Sequence, residues 1–328
     1  MDKIFVSCGD FNGIGPEITL KSIVGSYKDC AIVLIGHEHI YQFYAELSNI
    51  DISKYKLIED VEDIKSSGVF ILNVTHLKPH IQPGELTPEA GKLAGLAIVK
   101  AVELAKKYNG LMVTAPINKE SLHLGGYFYP GHTEFIAELL GNENHLMVLD
   151  GEIIRVALVT THLPLKDVSD NISIDKIVEK GTILYNSLLN DYGIEKPKLA
   201  VCSLNPHASD GGLFGDEEEK IIKPAVEKLK AITGGEVLGP LPSDTMFTKN
   251  FLKKTDAYLV MYHDQGLIPL KLLTFGEGVN FTAGLSIVRT SPDHGTAYDI
   301  AGKNCADYNS MKNAFNMGIK VLRNRNSR

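Results

Sequence analysis

Three histidines stand at or just past the ends of separate apolar runs: His162 after Ala157–Thr161, His207 after Leu199–Pro206 and His263 after Ala257–Tyr262. If these runs are strands of a parallel α/β sheet, their carboxyl ends line one crevice and the three imidazoles could converge there. Three imidazoles facing one point suit a metal ion that keeps open positions for substrate. Any one of them alone reads as well as a polar loop residue; their shared placement singles them out.

Other polar residues gather at similar positions. Thr114-Ala115-Pro116-Ile117-Asn118-Lys119 lies beyond a strand, and Tyr129-Pro130-Gly131-His132-Thr133-Glu134 leads into a helix over Phe135–Leu140. The free N–H groups of such a helix start, with His132 and Thr133 as donors, suit a phosphate or carboxylate; an ordinary cap by Thr133 is the alternative. Lys271 offers a point charge and Arg289 a bidentate fork for the same anions, although either also reads as a surface cation. Asp244, in the turn-rich Gly239–Phe247 segment, could accept hydrogen bonds from substrate or merely close a turn. The glycines of the Ser203–Asp216 loop permit close backbone approach to a ligand. Glu217-Glu218-Glu219 reads as a solvated helix start, and no chemistry is assigned to it.

The elements that must position these residues alternate. β-rich runs at Lys3–Cys8, Ala31–Ile35, Val69–Val74, Leu111–Thr114, Val156–Thr160, Lys198–Leu204, Tyr258–Tyr262 and Ser286–Arg289 are separated by helical patterns, which points to parallel β-α-β organisation. The clearest helix has Thr87 as cap and Pro88 in its first turn, continues with mainly apolar helical spacing through Leu104, and ends near Asn109-Gly110. The loop Gly9–Ile18 is a strand-to-helix turn with Pro16 at the first helical position. It is not the dinucleotide fingerprint, because the third glycine of G-x-G-x-x-G would fall where Ile18 stands.

The 328 residues are 44% hydrophobic and 22% charged, enough for a folded protein of two domains. A net charge of -7 without a Lys/Arg cluster argues against nucleic acid or a membrane surface as partner and for a small molecule. Cys8, Cys30, Cys202 and Cys305 form no C-x-x-C pair, and the N-terminus runs directly into a strand, so reduced thiols in a cytoplasm are expected. No apolar stretch approaches the roughly 20 residues that cross a bilayer. With no repeat and no long linker, one domain is expected to be inserted in the other, 116–255 within 1–115 plus 256–328.

Several ordered motifs carry a resemblance that spans nearly the whole chain. Gly9-Asp10 with Gly13-Ile14-Gly15-Pro16-Glu17, the Thr114–Lys119 and Gly131–Glu134 segments, Asn205-Pro206-His207-Ala208, Tyr262-His263-Asp264-Gln265-Gly266 and Thr290-Ser291-Pro292-Asp293-His294-Gly295-Thr296 closely resemble the 4-hydroxythreonine-4-phosphate dehydrogenase family. The resemblance implies two α/β/α domains with the active site in a cleft, akin to the isocitrate and isopropylmalate dehydrogenases and not a Rossmann fold. It implies that His162, His207 and His263 bind a divalent metal, with ligands drawn from both subunits of a homodimer. His132, Thr133, Lys271, Asn280 and Arg289 would contact a small phosphorylated substrate. Asp244, Asp264 and Lys119 are candidates for orienting substrate or moving a proton. Asp293–Gly302 is similar to the nucleotide-contacting loop of the isocitrate dehydrogenase group, making Asp293, His294, Gly295, Thr296 and Asp299, with Gly13 and Gly15 of the first loop, the candidates for holding NAD or NADP. One departure is Phe11-Asn12, where the family more usually has a Pro-Ala type pair, so the shape of that loop is open.

The implied activity is oxidation of 4-phosphohydroxy-L-threonine at C3 and decarboxylation to 3-amino-2-oxopropyl phosphate, in the synthesis of pyridoxal 5'-phosphate. Zinc is the expected ion; cobalt or nickel suits an imidazole-rich site similarly, and substrate oxygens could admit magnesium or manganese. A dehydrogenase of 4-phospho-D-threonate or 4-phospho-D-erythronate is the alternative within the same architecture. More distant ones are a zinc hydrolase, which would turn over without nicotinamide, and a noncatalytic phosphosugar-binding protein.

Overall fold

A computed structural model describes residues 1–274 and 277–327. The chain divides into two compact units, Met1–Asn144 with Leu285–Leu322, and His145–Gly284 with Arg323–Arg328. The first begins with β1 (Asp2–Ser7), α1 (Gly15–Ile23), β2 (Cys30–Gly36), α2 (Glu38–Ser48), β3 (Lys56–Ile58), β4 (Gly68–Asn73), α3 (Pro88–Tyr108), β5 (Leu111–Thr114), α4 (Lys119–Leu124) and α5 (His132–Leu139). The second contains β6 (Leu146–Asp150), β7 (Arg155–Leu158), α6 (Ile174–Asn190), β8 (Lys198–Cys202), α7 (Lys223–Thr233), β9 (Glu236–Leu241), α8 (Ser243–Met246), α9 (Lys249–Leu252), β10 (Ala257–Val260), α10 (His263–Thr274) and β11 (Val279–Ala283). The chain then returns to the first unit as β12 (Val288–Pro292) and α11 (Asn309–Asn326).

In the first unit the strands run in the order β3-β4-β2-β1-β5-β12, all parallel. Every residue of β2 is buried, as expected of a parallel strand covered on both faces. Helix α3 forms where its signals place it: the Thr87 hydroxyl accepts from the Ala90 N–H at 3.2 Å, Pro88 occupies the first turn, and Asn109 closes the helix in the left-handed conformation. α3 packs on β1 and β2 and also carries α4 and α5.

In the second unit the order is β11-β6-β7-β10-β8-β9. Strands β7, β10, β8 and β9 are parallel, whereas β6 pairs antiparallel with both β7 and β11. The parallel organisation expected from the alternation holds for β7, β10, β8 and β9, and β6 is the exception, antiparallel to both its neighbours. β6 and β7 are joined by a hairpin, closed by Gly151 N–H to Ile154 O at 2.8 Å, with no helix to mark the crossing. Leu149, Val156, Leu158, Ala200, Tyr258, Val260 and Leu270 form the apolar core beneath these strands.

The second unit is inserted after Asn144 and the chain re-enters the first at Leu285, both later than the expected 115 and 255. Residues 116–144 stay with the first unit because α4 and α5 pack on α3, with Ser121 Oγ donating to Thr87 O at 2.8 Å. Residues 256–284 belong to the second because β10 lies between β7 and β8 and β11 lies beside β6. Among the described residues no helix is long and apolar enough to cross a membrane.

Candidate metal and anion sites

Adjacent strands β7, β10 and β8 deliver His162, His263 and His207. Tyr258 lies in register with Val156 on one side and Ala200 on the other, so the three carboxyl ends come level. The strand ends are tied together beyond the ladder. Thr160 Oγ1 donates to Met261 O at 2.7 Å, and Gln265 accepts from Met261 N–H at 2.8 Å while its Nε2 donates to Ser203 O at 2.7 Å.

His162 and His263 come together, their ring centroids 5.8 Å apart, and both line a cavity of about 450 Å³ with Thr161, Leu163, Tyr262 and Asp264. His207 faces Asp244 instead, Nδ1 to Oδ2 3.7 Å. Among the described residues no three His, Cys, Asp or Glu side chains gather closely enough to hold a metal ion. Within one chain His162 and His263 form a pair, and His207 stands beside Asp244. The reason is local: His207, Ala208, Ser209 and Asp210 have φ of 53°, 52°, 71° and 44°, a left-handed turn continued by Gly211, so the path of this loop is not dictated by β8. Left-handed non-glycine residues cost about 1–2 kcal/mol each, so the surroundings must hold them.

The donor set nevertheless fits a divalent ion in kind. His263 Nδ1 lies 2.8 Å from Asp264 Oδ1, and His207 has its own carboxylate neighbour. The carboxylate at Nδ1 of His263 fixes that ring and leaves its Nε2 for a cation, whereas the 3.7 Å between His207 and Asp244 is an ion-pair distance and not a hydrogen bond. The side chains of His207 and His263 are 67% and 38% exposed, which leaves both open to a ligand. Of the other residues expected in this unit, Lys271 is exposed on α10, and Asn280 in β11 keeps a buried Oδ1 without a hydrogen-bond partner among the described residues.

Two of the three glutamates set aside in the sequence reading point inward. Glu218 is fully buried and accepts from Leu204 N–H (2.8 Å), Asn205 N–H (2.8 Å) and Asn205 Nδ2 (3.0 Å). Glu217 accepts from Asn205 Nδ2 at 2.7 Å and from Ser169 Oγ at 2.8 Å. Only Glu219 is exposed, paired with Lys223. Glu218–Ile222 forms a single π-helical turn before α7. A run of three acids looks solvated because composition does not show that this wider turn re-aims its side chains.

The first unit gathers the anion-binding candidates. Arg289 in β12 is 2% exposed and donates from Nη2 to Thr114 Oγ1 at 2.7 Å. Burial pushes its pKa down to about 10, and the Glu134 carboxylate offsets only part of that. His132, first residue of α5, keeps a buried Nε2 with no hydrogen-bond partner among the described residues. Burial, then the Arg289 charge, holds its pKa well below the ordinary imidazole value, so it is neutral at neutral pH. No side chain caps α5, so Thr133 is not spent as a cap. Lys119 is exposed at the start of α4.

The first loop and the 293–299 loop form one platform. Ile14 N–H donates to Thr296 O at 2.9 Å, and a Cβ on Gly13 would stand 2.8 Å from Thr296, so only glycine permits this approach. At Gly15 a Cβ would lie 3.1 Å from Cys8 O. Asn12, half of the unusual Phe11-Asn12 pair, is wholly buried. Its Nδ2 donates to Glu85 O (3.0 Å) and Thr87 Oγ1 (3.1 Å), and its Oδ1 accepts from Gln82 N–H (2.8 Å). Asp293 N–H is held by Ser310 Oγ, Asp299 O accepts from Lys303 Nζ at 2.6 Å, and His294 and Gly295 are exposed at the strand's carboxyl end, where a nucleotide fits an α/β unit.

Asp10, 1% exposed, accepts from Tyr298 OH at 2.7 Å and from Asn12 N–H at 3.0 Å. Burial raises its pKa above the ordinary 3.8, and the bonds from Tyr298, Ser121 and Asn12 only partly counter this. A carboxyl raised on folding stabilises the folded state below its unfolded pKa, and that contribution is lost as pH rises through the raised value. Asp10→Asn should therefore flatten the decline in unfolding free energy above about pH 4. Urea melts across that range would check it; an unchanged slope would show that Asp10 does not titrate with folding.

The whole chain has close counterparts. The model of the family described as pyridoxal phosphate biosynthetic protein PdxA matches residues 28–318. A 4-hydroxythreonine-4-phosphate dehydrogenase of Sulfurihydrogenibium sp. (strain YO3AOP1) is 42% identical over 326 residues, 98% of this chain and 99% of the relative. A D-threonate 4-phosphate dehydrogenase of Pectobacterium atrosepticum is 40% identical over 327 residues, 98% of this chain and 100% of the relative. Among solved structures, a 4-hydroxythreonine-4-phosphate dehydrogenase from Klebsiella pneumoniae matches with TM-score 0.87 at 37% identity over 98% of both chains. An α/β chain with this likeness to dehydrogenases is an oxidoreductase. It belongs to the PdxA family of pyridoxal phosphate biosynthetic proteins.

Proposed function

We propose that the chain oxidises 4-phosphohydroxy-L-threonine at C3 with NAD(P)+ and a divalent ion, zinc foremost, the resulting 3-oxo acid losing carbon dioxide to give 3-amino-2-oxopropyl phosphate for pyridoxal 5'-phosphate synthesis. The observation that carries the reading is the buried Arg289 guanidinium beside His132, whose buried Nε2 has no hydrogen-bond partner among the described residues. A buried cation and an unbonded Nε2 suit the phosphate or carboxylate end of such a substrate. When bound, nicotinamide supplies the hydride acceptor, and the ion supplies a Lewis acid that lowers the pKa of the substrate hydroxyl.

The chain's own groups do the rest. His162, His207 and His263 would hold the ion, the last ring oriented by Asp264. Arg289, Lys271, Asn280, His132 and Thr133 fix the anionic ends of the substrate. Asp244, Asp264 and Lys119 stand as candidates to take the hydroxyl proton or return one to C2 after the C1–C2 bond breaks. The 293–299 loop, fixed by Gly13 and Tyr298, would carry the nucleotide. The split of the three histidines within one chain favours a homodimer that completes the ligand set, working in the cytoplasm.

A second reading rests on the relatives' names, because D-threonate 4-phosphate dehydrogenases are as similar as several of the amino-acid enzymes. NAD(P)H absorbance with 4-phosphohydroxy-L-threonine beside 4-phospho-D-threonate, with metal removed and restored, decides. Metal-dependent reduction with the amino acid is the expected result; reduction with the threonate alone moves the chain to the sugar-acid branch, and silence with both sinks the proposal.

A further inference from the structure

The left-handed turn that carries His207 is held by a carboxylate outside the proposed ligand set. Glu218 is fully buried, and three hydrogen bonds anchor it to Leu204 and Asn205, the residues that lead into that turn. Asn205 Nδ2 bridges it to Glu217, which Ser169 Oγ holds from the far side. The other end of the turn is closed by Ser209 Oγ on Gly215 O. Gly215 has φ +129°, and a Cβ there would stand 2.5 Å from Glu217 Oε2 and 2.7 Å from Asn205 Nδ2, so the cluster closes only around a glycine. Across the strand ends, Gln265 fixes Ser203 O to Met261 N–H and so joins this loop to the strand that delivers His263.

A carboxylate holding two consecutive backbone N–H groups fixes both the position and the tilt of the peptide that follows. Glu218 would act through the loop, by the two backbone N–H groups of Leu204 and Asn205 and by the Asn205 side-chain amide. We propose that Glu218 is a positioning residue whose buried carboxylate holds Leu204 and Asn205, aims His207 and thereby sets the affinity of the divalent ion. This rests on the reading of His162, His207 and His263 as its ligands.

Co2+ titration followed by its visible absorption tests the inference on the full chain, with wild type, Glu218→Gln, His207→Ala and the double variant. The glutamine keeps the shape but exchanges one acceptor for a donor against Asn205. Glu218→Gln should weaken Co2+ by roughly 10–100-fold, as supporting residues of metal ligands do, and shift the absorption. It should add nothing in the His207→Ala background, because a group that acts only through His207 has nothing left to aim. Equal affinity in Glu218→Gln and wild type, or the same loss with and without His207, overturns the inference while leaving the metal reading intact. Identical titration of wild type and His207→Ala overturns both. If Glu218→Gln does not fold, Asn205→Ala, which removes the bridging amide and spares the two backbone bonds, should weaken Co2+ in the same direction by a smaller factor; unchanged affinity there overturns the inference.

Discussion

Arg289→Met is expected to lose about 10²-fold in kcat/KM for the proposed phosphorylated substrate and to resist urea better than the wild type. Both halves come from one fact, a guanidinium 2% exposed with its pKa pushed down to about 10. A shift of that size corresponds to a charged form disfavoured by on the order of 3 kcal/mol. Methionine fills similar volume without the charge and forfeits the hydrogen bonds of the guanidinium, that to Thr114 among them, at roughly 1 kcal/mol each. The net gain should be about 1–2 kcal/mol, in line with other replacements of buried charges by apolar side chains. Substrate loses one or two charge-assisted bonds at roughly 1.5–3 kcal/mol each. Paired urea melts and steady-state kinetics check the result. A variant that is both less stable and fully active would show that Arg289 is a structural cation.

Gly91→Ala should cost more stability than any surface change. In an exposed helix this substitution gains about 1 kcal/mol, because glycine is the poorer helix former. At Gly91 of α3 the new Cβ would stand 1.7 Å from Ser121 O and 2.1 Å from Ser121 C, and backbone cannot swing aside as a side chain does. The contact is reciprocal: a Cβ on Gly125 would lie 2.2 Å from Lys92 N. α4 must therefore leave α3, losing the Ser121 bond to Thr87 and disturbing the segment after Thr114. We expect a loss of about 3 kcal/mol or more, a fall of roughly 6–12 °C in Tm for a unit of this size. Calorimetry checks it, and a melting temperature equal to or above the wild type would refute the close approach.

The elements that sequence disclosed are those with a local physical signature. Thr87, Pro88 and Asn109 bound α3 because capping is chemistry between near neighbours, and β2 reads as a buried strand because it is apolar throughout. β6, β9 and β11 escaped because pairing and direction are long-range properties, and a hairpin lacks the helix that announces a parallel crossing. At the site, strand-end histidines were legible from their shared placement, but the course of the His207 loop was not. Left-handed φ at His207, Ala208 and Asp210 violates their intrinsic preference, and it depends on a carboxylate more than ten residues downstream. Asn12 shows the same limit: it stands out as a departure, yet its hold on residues 82–87 appears only in three dimensions.

Thr114 and Arg289, bonded across β5 and β12, lie 175 residues apart in the chain. During synthesis the whole of 145–284 emerges between them, so all but the last few residues of the second unit can fold while its host still lacks a strand. The loop that must be closed to seat β12 is long, and its entropy falls due late in folding. Folding in that order would bring Arg289 into the interior with the final strand and defer the desolvation of its charge until most of the apolar surface around it is in place. An anion that binds this arginine would favour that last docking step over every earlier one, acting as a clasp on the nascent sheet as well as a substrate.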